Sequence, residues 1–543
     1  MPKKFGKARS EEQLTTKIKK DMESWYSKTE YSLLRTTDVL EMEFRSQDIF
    51  ILLATITLCL YLYIKSVYNY WGRRNVPYQK PSFPFGNIEP LWATKAGFHL
   101  TVAKIYENFK AKGLKFGGAF TWLRPAFVPV DLDILKHILI KDFHYFVDRG
   151  VYYNEETDPL SAHLFNIEGD NWRFWRTRLS PTFSSGKMKN MFQLMMGCGK
   201  DLEDELEKLC KLKQAVDIKE ISARFTTNST GSCSFGLNCN CFRDSDNDFR
   251  TQTRKFLNGS ISGVARVLFT LTFPSLSKKL GLIVFPEYAT KFYRSVIRNV
   301  VDYREANYDI KRNDLVELLL SIKDGKLSNG NGFTFNEIAA HAFAFFLAGF
   351  ETSASMMMFS FYEMAEHQDV QDKVREEIRR VVAKYDGKIT YDGIMEMTYM
   401  TQVFDETLRK YPILATLERI ATKDYKVPNS DVILKTGTKV LISLQGIHHD
   451  PEYFPNPEKF DPDRFLPENK RMIHPCAYMP FGEGPRFCVG MRFGVIQAKV
   501  GMAIMLKDYK YTLYGKNHEM KLSSKSPLLT PEGIVLLNIE KVD

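Results

Sequence analysis

The segment Phe481–Gly490, which reads FGEGPRFCVG, constrains this chain more than any other stretch of its sequence. Its cysteine, Cys488, stands between glycine turns, with Arg486 two residues before it and the aromatic ring of Phe481 seven before. Glycines at 482, 484 and 490 permit tight turns, partly with positive φ, and a close approach of the backbone to a flat ligand. A neighbouring cation lowers the pKa of a thiol, and Arg486 can also hydrogen-bond an anionic group on that ligand. The pattern predicts a thiolate directed at a metal; the alternative is a buried structural cysteine.

The composition is that of a large globular protein with a modest positive charge. The 543 residues are 44% hydrophobic and 13% aromatic, which is ample for an extensive core. The formal net charge is +10, and no dense basic run accompanies a nucleic-acid-binding motif, so we expect no nucleic-acid partner. A membrane surface or an acidic protein fits this charge better. The 8 cysteines are too few and too scattered for a disulfide scaffold, so reduced thiols are expected.

One apolar run, Ile49–Ile64, contains no charged residue. It is slightly shorter than the ~20 residues that span a bilayer, but Lys65 can extend to the lipid surface, and aromatic residues such as Tyr70 and Trp71 suit the interface. The run therefore predicts a membrane anchor over residues 49–70, and a buried core helix is the alternative. Positive charge near the run lies mainly on its C-terminal side, which predicts that this side is cytoplasmic.

The remainder of the chain divides into three parts. Residues 1–48 form a polar extension of mixed charge, and residues 71–90 form a Pro-rich, stiff hinge. Residues 91–543 contain no internal repeat and alternate helical patterns with short β-like runs, which predicts one mainly α-helical domain with small β-sheets (α+β). The best helix, Phe335–Glu363, is apolar on almost every face, so we expect it to cross the middle of that domain.

The central helix contains the sequence AGFETS at Ala348–Ser353. Glycine inside a helix costs about 1 kcal/mol relative to alanine, so Gly349 requires a reason. A small residue followed by a hydroxyl permits a local widening where a ligand can dock beside the backbone. Glu351 next to Thr352 in an apolar helix can relay protons inward. An equally weighted alternative is that Gly349 packs against a crossing helix while Glu351 reaches solvent.

Two further motifs place charged groups on helices. Trp172 and Arg176 lie one turn apart, and a guanidinium together with an indole N–H suits the binding of carboxylates. Glu406 and Arg409 form an i, i+3 pair in apolar surroundings, and Arg464 offers a third charge downstream. We interpret these last three residues as structural, because a buried charge triad can determine the register of a fold.

Together these motifs resemble those of the cytochromes P-450, the haem-thiolate monooxygenases. The segment Phe481–Gly490 fits F-x-x-G-x-R-x-C-x-G at every fixed position, and Ala348–Ser353 fits [AG]-G-x-[DE]-T-[TS]. The W-x-x-x-R and E-x-x-R motifs stand in the family's order. The sequences FFLAGFET at 345–352 and DPLSAH at 158–163 are similar to those of the insect-type microsomal, xenobiotic-metabolising branch. The extension 1–48 is a departure, since such proteins usually begin with the apolar run.

The resemblance implies haem b as the cofactor, with Cys488 as the axial ligand of its iron. It further implies roles for residues around the haem: Trp172, Arg176 and Arg419 at the propionates, with Arg149 as a further candidate, Phe481 and Arg486 in the haem-binding loop, Gly349 in the oxygen groove, and Glu351 and Thr352 as catalytic residues in proton delivery.

The resemblance also implies the reaction and the partners. The protein is expected to insert one oxygen atom from O2 into apolar small molecules such as xenobiotics, toxins, terpenoids or steroids. Because no dinucleotide or flavin motif occurs here, electrons are expected from NADPH–cytochrome P-450 reductase, with cytochrome b5 as a second donor. The expected location is the endoplasmic reticulum membrane, with a single-pass anchor and a cytosolic catalytic domain. The alternatives are a haem-thiolate isomerase and a non-catalytic membrane protein that binds haem or a hydrophobic molecule.

Two surfaces are predicted from local patterns. The substrate cavity is expected to be lined by His341, Phe345 and Ala348 at helical spacing, and by Ile413–Thr416 and the hairpin Leu528–Gly533. The apolar stretch Leu280–Phe285 predicts a second contact with the membrane.

Overall fold

The structure is a computed structural model. It describes residues 15–27, 29, 46–83, 85–87, 97–244, 248–257, 266, 269–270, 272–307, 312, 314–321, 334–515, 520–524, 526 and 528–542. The chain forms two compact units, Met1–Ser66 and Val67–Asp543. Most of the predicted extension 1–48 lies outside the described residues, as do positions 84 and 88–90 of the predicted hinge.

The apolar run near the N-terminus forms helix α1, Ser46–Tyr68. The helix starts three residues before the predicted anchor and ends two residues before the predicted end. Its large apolar side chains, such as Phe50 and Leu53, are exposed. Among the described residues, two helices are long and apolar enough to cross a membrane, and only this one has an exposed apolar surface; the other, Phe335–Glu366, is mostly buried.

The prediction that Trp71 lies at the membrane interface is wrong. Its indole ring is completely buried in the second unit, and its Nε1–H donates a hydrogen bond to the Ala119 carbonyl at 2.9 Å. Gly118 lies directly beneath the ring, where any Cβ would collide with it. Part of the predicted hinge is also attached here, because Tyr78 bridges to Gly118 and Gly86 to Thr121. Tertiary contacts therefore attach the segment that starts at Trp71 to the edge of a sheet.

The second unit is mainly helical. Its helices follow in chain order: α2 Phe98–Ala111, α3 Leu132–Lys136, α4 Gly169–Leu179, α5 Ser185–Lys211, α6 Ile218–Phe235, α7 Asp248–Leu257, α8 Pro274–Lys279, α9 Glu287–Ala306, α10 Leu315–Ser321, α11 Phe335–Glu366, α12 Gln368–Lys384, α13 Tyr391–Glu396, α14 Thr398–Lys410, α15 Leu444–His448, α16 Pro467–Lys470 and α17 Met491–Lys507.

The strands of the described residues form three small sheets. Their bounds are β1 Phe116–Thr121, β2 Arg124–Pro129, β3 Val216–Asp217, β4 Thr416–Ile420, β5 Tyr425–Lys426, β6 Ile433–Leu434, β7 Lys439–Ser443, β8 Tyr509–Leu513 and β9 Leu536–Lys541. One sheet has the order β1-β2-β7-β4, in which β2 and β7 are parallel and the other pairs antiparallel. The others are β3-β9-β8 and β5-β6. The prediction of a mainly helical fold with small sheets is confirmed.

Helix α11 crosses the middle of the second unit, as predicted. It begins with a capping box, in which the Thr334 hydroxyl accepts the Glu337 N–H while the Glu337 carboxylate accepts the Thr334 N–H at 2.9 Å. Its first half packs in one hydrophobic cluster through residues such as Phe343, and its second half packs in another through residues such as Met357. The helix therefore connects two hydrophobic clusters. It ends three residues beyond the predicted end.

The three charges interpreted as structural meet in the interior. Arg409 donates from Nε and Nη2 to both carboxylate oxygens of Glu406, at 2.7 and 2.9 Å, and both side chains are fully buried. The Arg464 guanidinium lies 3.4 Å from the same carboxylate. Arg409 also donates to the backbone carbonyls of His448 and Pro457, so the triad ties α14 to the chain that follows the sheet.

We expect Trp71→Ala to lower the free energy of unfolding of the second unit by about 3–5 kcal/mol, because it leaves a cavity and an unpaired carbonyl. Trp71→Phe should cost less, since it keeps most of the ring. Trp25 is 68% exposed, so Trp25→Ala serves as the matched control and should change nothing. Denaturant unfolding of the full chain measures all three, and an unchanged midpoint for Trp71→Ala would contradict the packing described here.

Candidate functional site

The loop that carries Cys488 is folded by two of its three glycines. Gly482 and Gly484 have φ of 76° and 72°, a region that L side chains rarely adopt. A Cβ on Gly484 would also collide with the Leu139 carbonyl oxygen. Gly490 differs from the expectation, because its φ is −91° where it begins α17. The turn closes when the Cys488 N–H donates to the Phe481 carbonyl at 2.8 Å.

The Cys488 thiol is accessible but has many protein atoms around it. The residue is exposed, yet burial raises the pKa of its thiol, while the Gly490 amide, Arg176 and Arg149 act in the opposite direction. An accessible side chain that is nevertheless poorly solvated faces an enclosed space. A thiol with a raised pKa stays protonated at neutral pH unless a metal or a stronger positive field stabilises the thiolate.

On the central helix, a stripe of small residues in the same region is not fully covered by other parts of the protein. Ala348 is exposed and Ala344 and Thr352 are half-buried, although most of this helix is buried. These three residues are spaced four apart and share one face. Phe493, five residues after Cys488, packs on this helix, with its ring 5.1 Å from that of Phe345. The stripe and the cysteine loop therefore lie near each other in the interior.

Four arginines gather around the loop. Arg176 donates to the Phe487 carbonyl at 2.9 Å, and Arg149 donates to the Arg486 carbonyl at 3.1 Å. Burial and the repulsion between these side chains lower the pKa values of Arg149, Arg419 and Arg486 to about 9 each. Arg419 is 1% exposed, and its Nε–H has no hydrogen-bond partner among the described residues. This excess of buried positive charge is unfavourable as long as no anionic group compensates it.

Arg486 is bound by backbone carbonyls. Its Nε and Nη2 donate to the carbonyls of Val147 and Ile167, both at 2.8 Å, and its guanidinium stacks on the Trp172 ring at 4.3 Å. Asp148 lies 3.7 Å from Nη2. Most donors of Arg486 are therefore engaged, and what it offers a ligand is mainly positive charge.

Trp172 and Arg176 occupy the same side of α4, as their spacing predicts. Trp172 is buried between Arg486 and Phe143. Its indole N–H has no acceptor among the residues that the structure describes. Arg176 is half-buried, with its guanidinium 4.6 Å from the ring of Phe487. The helix thus brings one unused donor and one cation to the rim of the cysteine loop.

The residues of the AGFETS segment point in three directions. Gly349 packs against α6, where a Cβ would lie only 3.0 Å from the Thr230 methyl, so the packing alternative holds for this glycine. The Thr352 hydroxyl donates to the Ala348 carbonyl at 2.6 Å, which is the predicted back-bond. Glu351 does not reach solvent. It is buried and pairs with Lys219 Nζ at 3.2 Å.

The predicted cavity wall is correct in part. Ala348 is open, but the His341 ring packs against Trp175 in a tilted arrangement, with 4.0 Å between the ring centroids, and its Nδ1 accepts the Leu164 N–H. This residue therefore faces α4 and the preceding loop. Phe345 is packed between Phe183 and Phe493. The other two segments contact each other, since the Leu529 N–H donates to the Ile413 carbonyl at 2.9 Å; their place in the cavity wall stays a prediction.

Sequence reasoning missed Ala344 and Lys219. The open position of Ala344 follows from the 3.6-residue period once the direction of the cavity is known, so a different choice of helix face would have found it. Lys219 stands 132 positions before Glu351 and carries no local pattern, and only the crossing of α6 and α11 brings the two together.

Comparison with known proteins identifies the family. The family profile described as Cytochrome P450 matches residues 86–538. "Probable cytochrome P450 6a14" of Drosophila melanogaster is 42% identical over 496 residues, covering 89% of this chain and 97% of the relative. "Cytochrome P450 6A1" of Musca domestica is 39% identical over 510 residues, covering 92% and 99%. The chain therefore belongs to the cytochrome P450 family, the monooxygenases that carry haem on a cysteine thiolate and oxidise hydrophobic molecules.

Proposed function

We propose that Cys488 is the axial ligand of the haem iron. Of the described cysteines, Cys233, Cys239, Cys241 and Cys476 are buried, whereas Cys488 combines an accessible thiol with two nearby arginines. The accessible thiol beside Arg149 and Arg176 supports this role most directly. At Gly482 a Cβ would make only ordinary contacts, with Phe487 Cα at 3.8 Å and Leu417 Cδ1 at 3.9 Å, so it is the positive φ that favours glycine there.

The arginine cluster fits the two carboxylates of haem. The orphaned Nε–H of Arg419 and the unused N–H of Trp172 are donors without acceptors, and Arg149 and Arg176 retain further N–H groups. A dianion among these groups would neutralise their mutual repulsion and satisfy the buried donors. We therefore assign the propionates to Trp172, Arg176 and Arg419, with Arg149 beside them. Phe481 and Arg486 support the loop itself.

The haem, when bound, supplies the chemistry that activates dioxygen, and the thiolate tunes that chemistry. The chain's own part is to exclude water, hold the substrate and deliver protons. We assign proton delivery to Glu351 and Thr352. The Thr352 hydroxyl now donates to the Ala348 carbonyl, and rotation about its C–O bond turns the same hydrogen towards the cavity. Gly349 contributes indirectly, because its missing side chain lets α6 pack closely against this part of the central helix.

The substrates that fit this cavity are apolar small molecules, including xenobiotics. The open face of the central helix consists of alanine methyl groups, Ala344 and Ala348, with Thr352 as its polar group. Leu414 and Leu528 are half-buried in the two segments that meet beside it. Such a wall selects by shape and hydrophobicity. Oxygen and NADPH dependence separates this activity from the isomerase and from a non-catalytic protein.

We propose NADPH–cytochrome P-450 reductase as the electron donor, with cytochrome b5 as a second one, and the endoplasmic reticulum membrane as the location. Helix α1 would be the single-pass anchor, with the catalytic domain in the cytosol. The predicted second membrane contact needs revision, because Phe285 is only 7% exposed and packs on Phe343 at 5.1 Å. The exposed apolar side chains of this region are Phe273 and Leu276, which precede the predicted stretch, and Leu280, which is its first residue.

Cys488→Ala is expected to abolish the thiolate-type absorption band of the reduced protein under carbon monoxide, because no other described thiol stands in a comparable setting. Cys233→Ala is the matched control: burial raises the pKa of that thiol far above its usual value, so the band should persist. A normal band in Cys488→Ala would remove Cys488 as the ligand.

Thr352→Ala should uncouple electron use from product formation. Without the hydroxyl, proton transfer is slower. The amount of product per NADPH should therefore fall about tenfold or more, since a general acid–base group typically contributes at least that much to a rate. Hydrogen peroxide release should rise by a matching amount. Stopped assays that measure NADPH, peroxide and product together test this, and unchanged coupling would make Thr352 a packing residue only.

Deleting residues 1–66, at the boundary between the two units, should leave a folded protein that still binds lipid vesicles weakly. Replacing Phe273, Leu276 and Leu280, which are 42%, 46% and 59% exposed, with serine in that protein should release it. Met472→Ser is the control, because Met472 is 86% exposed and lies outside this patch. Vesicle flotation measures binding. A truncated protein that never floats would disprove the second contact.

A further inference from the structure

The acid of the central helix is held by a cation from a different helix. The Glu351 carboxylate has a side chain only 9% exposed, and its Oε1 lies 3.2 Å from Nζ of Lys219. Lys219 is the second residue of α6, and its side chain remains 30% exposed. The Glu351 side of the ion pair is therefore shielded from water, whereas the Lys219 side is partly exposed to it.

This placement separates Glu351 from the cavity. Consecutive residues of a helix differ by about 100° in direction, and Thr352 is on the open stripe with Ala348 while Glu351 is turned towards α6. In this position the carboxylate is turned away from the open stripe and is largely shielded from water. The partly exposed group next to the carboxylate is the ammonium of Lys219, which has three N–H donors.

We propose that Lys219 is a positioning residue for proton delivery: it holds the Glu351 carboxylate at the solvent-linked end of the route, where Glu351 is reloaded with protons between turnovers. This inference rests on the proposed role of Glu351 and Thr352. A carboxylate removed from water without a partner would be costly, and the partly buried cation offsets that cost. The ion pair is also screened less by salt than a surface pair.

The stoichiometry shows why the supply of protons matters. In the productive reaction, RH + O2 + NADPH + H⁺ gives ROH + H2O + NADP⁺. In the uncoupled reaction, O2 + NADPH + H⁺ gives H2O2 + NADP⁺. Both use the same two electrons, so the ratio of product to peroxide reports whether protons arrive at the right place. A residue that only stabilised the fold would change the amount of active protein and leave this ratio unchanged.

The test compares Lys219→Gln with Lys219→Arg in the full-length, haem-loaded protein with its electron donor. The neutral glutamine should lower product per NADPH by about tenfold at most, less than the ~100-fold typical for removal of a general acid itself. It should also raise peroxide release and enlarge the solvent deuterium isotope effect on product formation. Arginine keeps the charge and should restore most of the coupling.

Arg224→Gln is the matched control. Arg224 lies on the same helix, is similarly half-buried, and pairs with Glu220 at 3.0 Å, away from Glu351. It should leave both the product-to-peroxide ratio and the isotope effect at their original values. The carbon monoxide spectrum of every variant measures the fraction of correctly loaded protein, so all rates are normalised to it.

Two outcomes would overturn the proposal: normal coupling in Lys219→Gln, or equal uncoupling in Lys219→Gln and Lys219→Arg. Failure of the underlying assignment gives a different result. If Glu351→Gln and Thr352→Ala remain coupled, the proton route itself is wrong. If those two variants uncouple while Lys219→Gln does not, the route stands and only the role of Lys219 is lost.

Discussion

Buried positive charge around one cysteine loop is the constraint on which the rest of the site depends. Arg149, Arg419 and Arg486 are mostly surrounded by protein, and each lowers the pKa of a neighbour in addition to the effect of burial. Such a cluster is unfavourable by itself and becomes favourable when an anion enters it. Arg486 also binds the carbonyls of Val147 and Ile167. The same side chain therefore positions the loop and adds to the positive charge of the cluster.

The central helix uses three of its faces for three purposes. One face, with Ala344, Ala348 and Thr352, stays open to the interior. A second face carries Gly349, which allows α6 to approach closely at Thr230. The direction of Glu351 is set by a cation on the same crossing helix. Since α6 contacts both Gly349 and Glu351, a change in the packing of these two helices would alter the geometry of the open face and of the acid together.

Much of the local chemistry could be predicted from the sequence. The turns at Gly482 and Gly484, the pairing of Trp172 with Arg176 on one side of a helix, and the back-bond of Thr352 all depend on residues within a few positions of each other. Such features are governed by backbone sterics and by helical periodicity, which act at short range. The central position of α11 was also predictable, because a helix that is apolar on nearly every face is either buried in a core or placed in a membrane, and α11 lies within the globular domain.

The sequence by itself thus determined the haem-thiolate family, the mainly helical fold and the residues with the potential for chemistry. Only the tertiary structure decided which of them meet. Trp71 is an amphipathic residue beside an apolar run, and the sheet edge that buries it is formed almost fifty residues later. Lys219 looks like any surface lysine until α6 crosses α11. Burial and long-range ion pairs depend on how distant segments pack, and no local pattern records that packing.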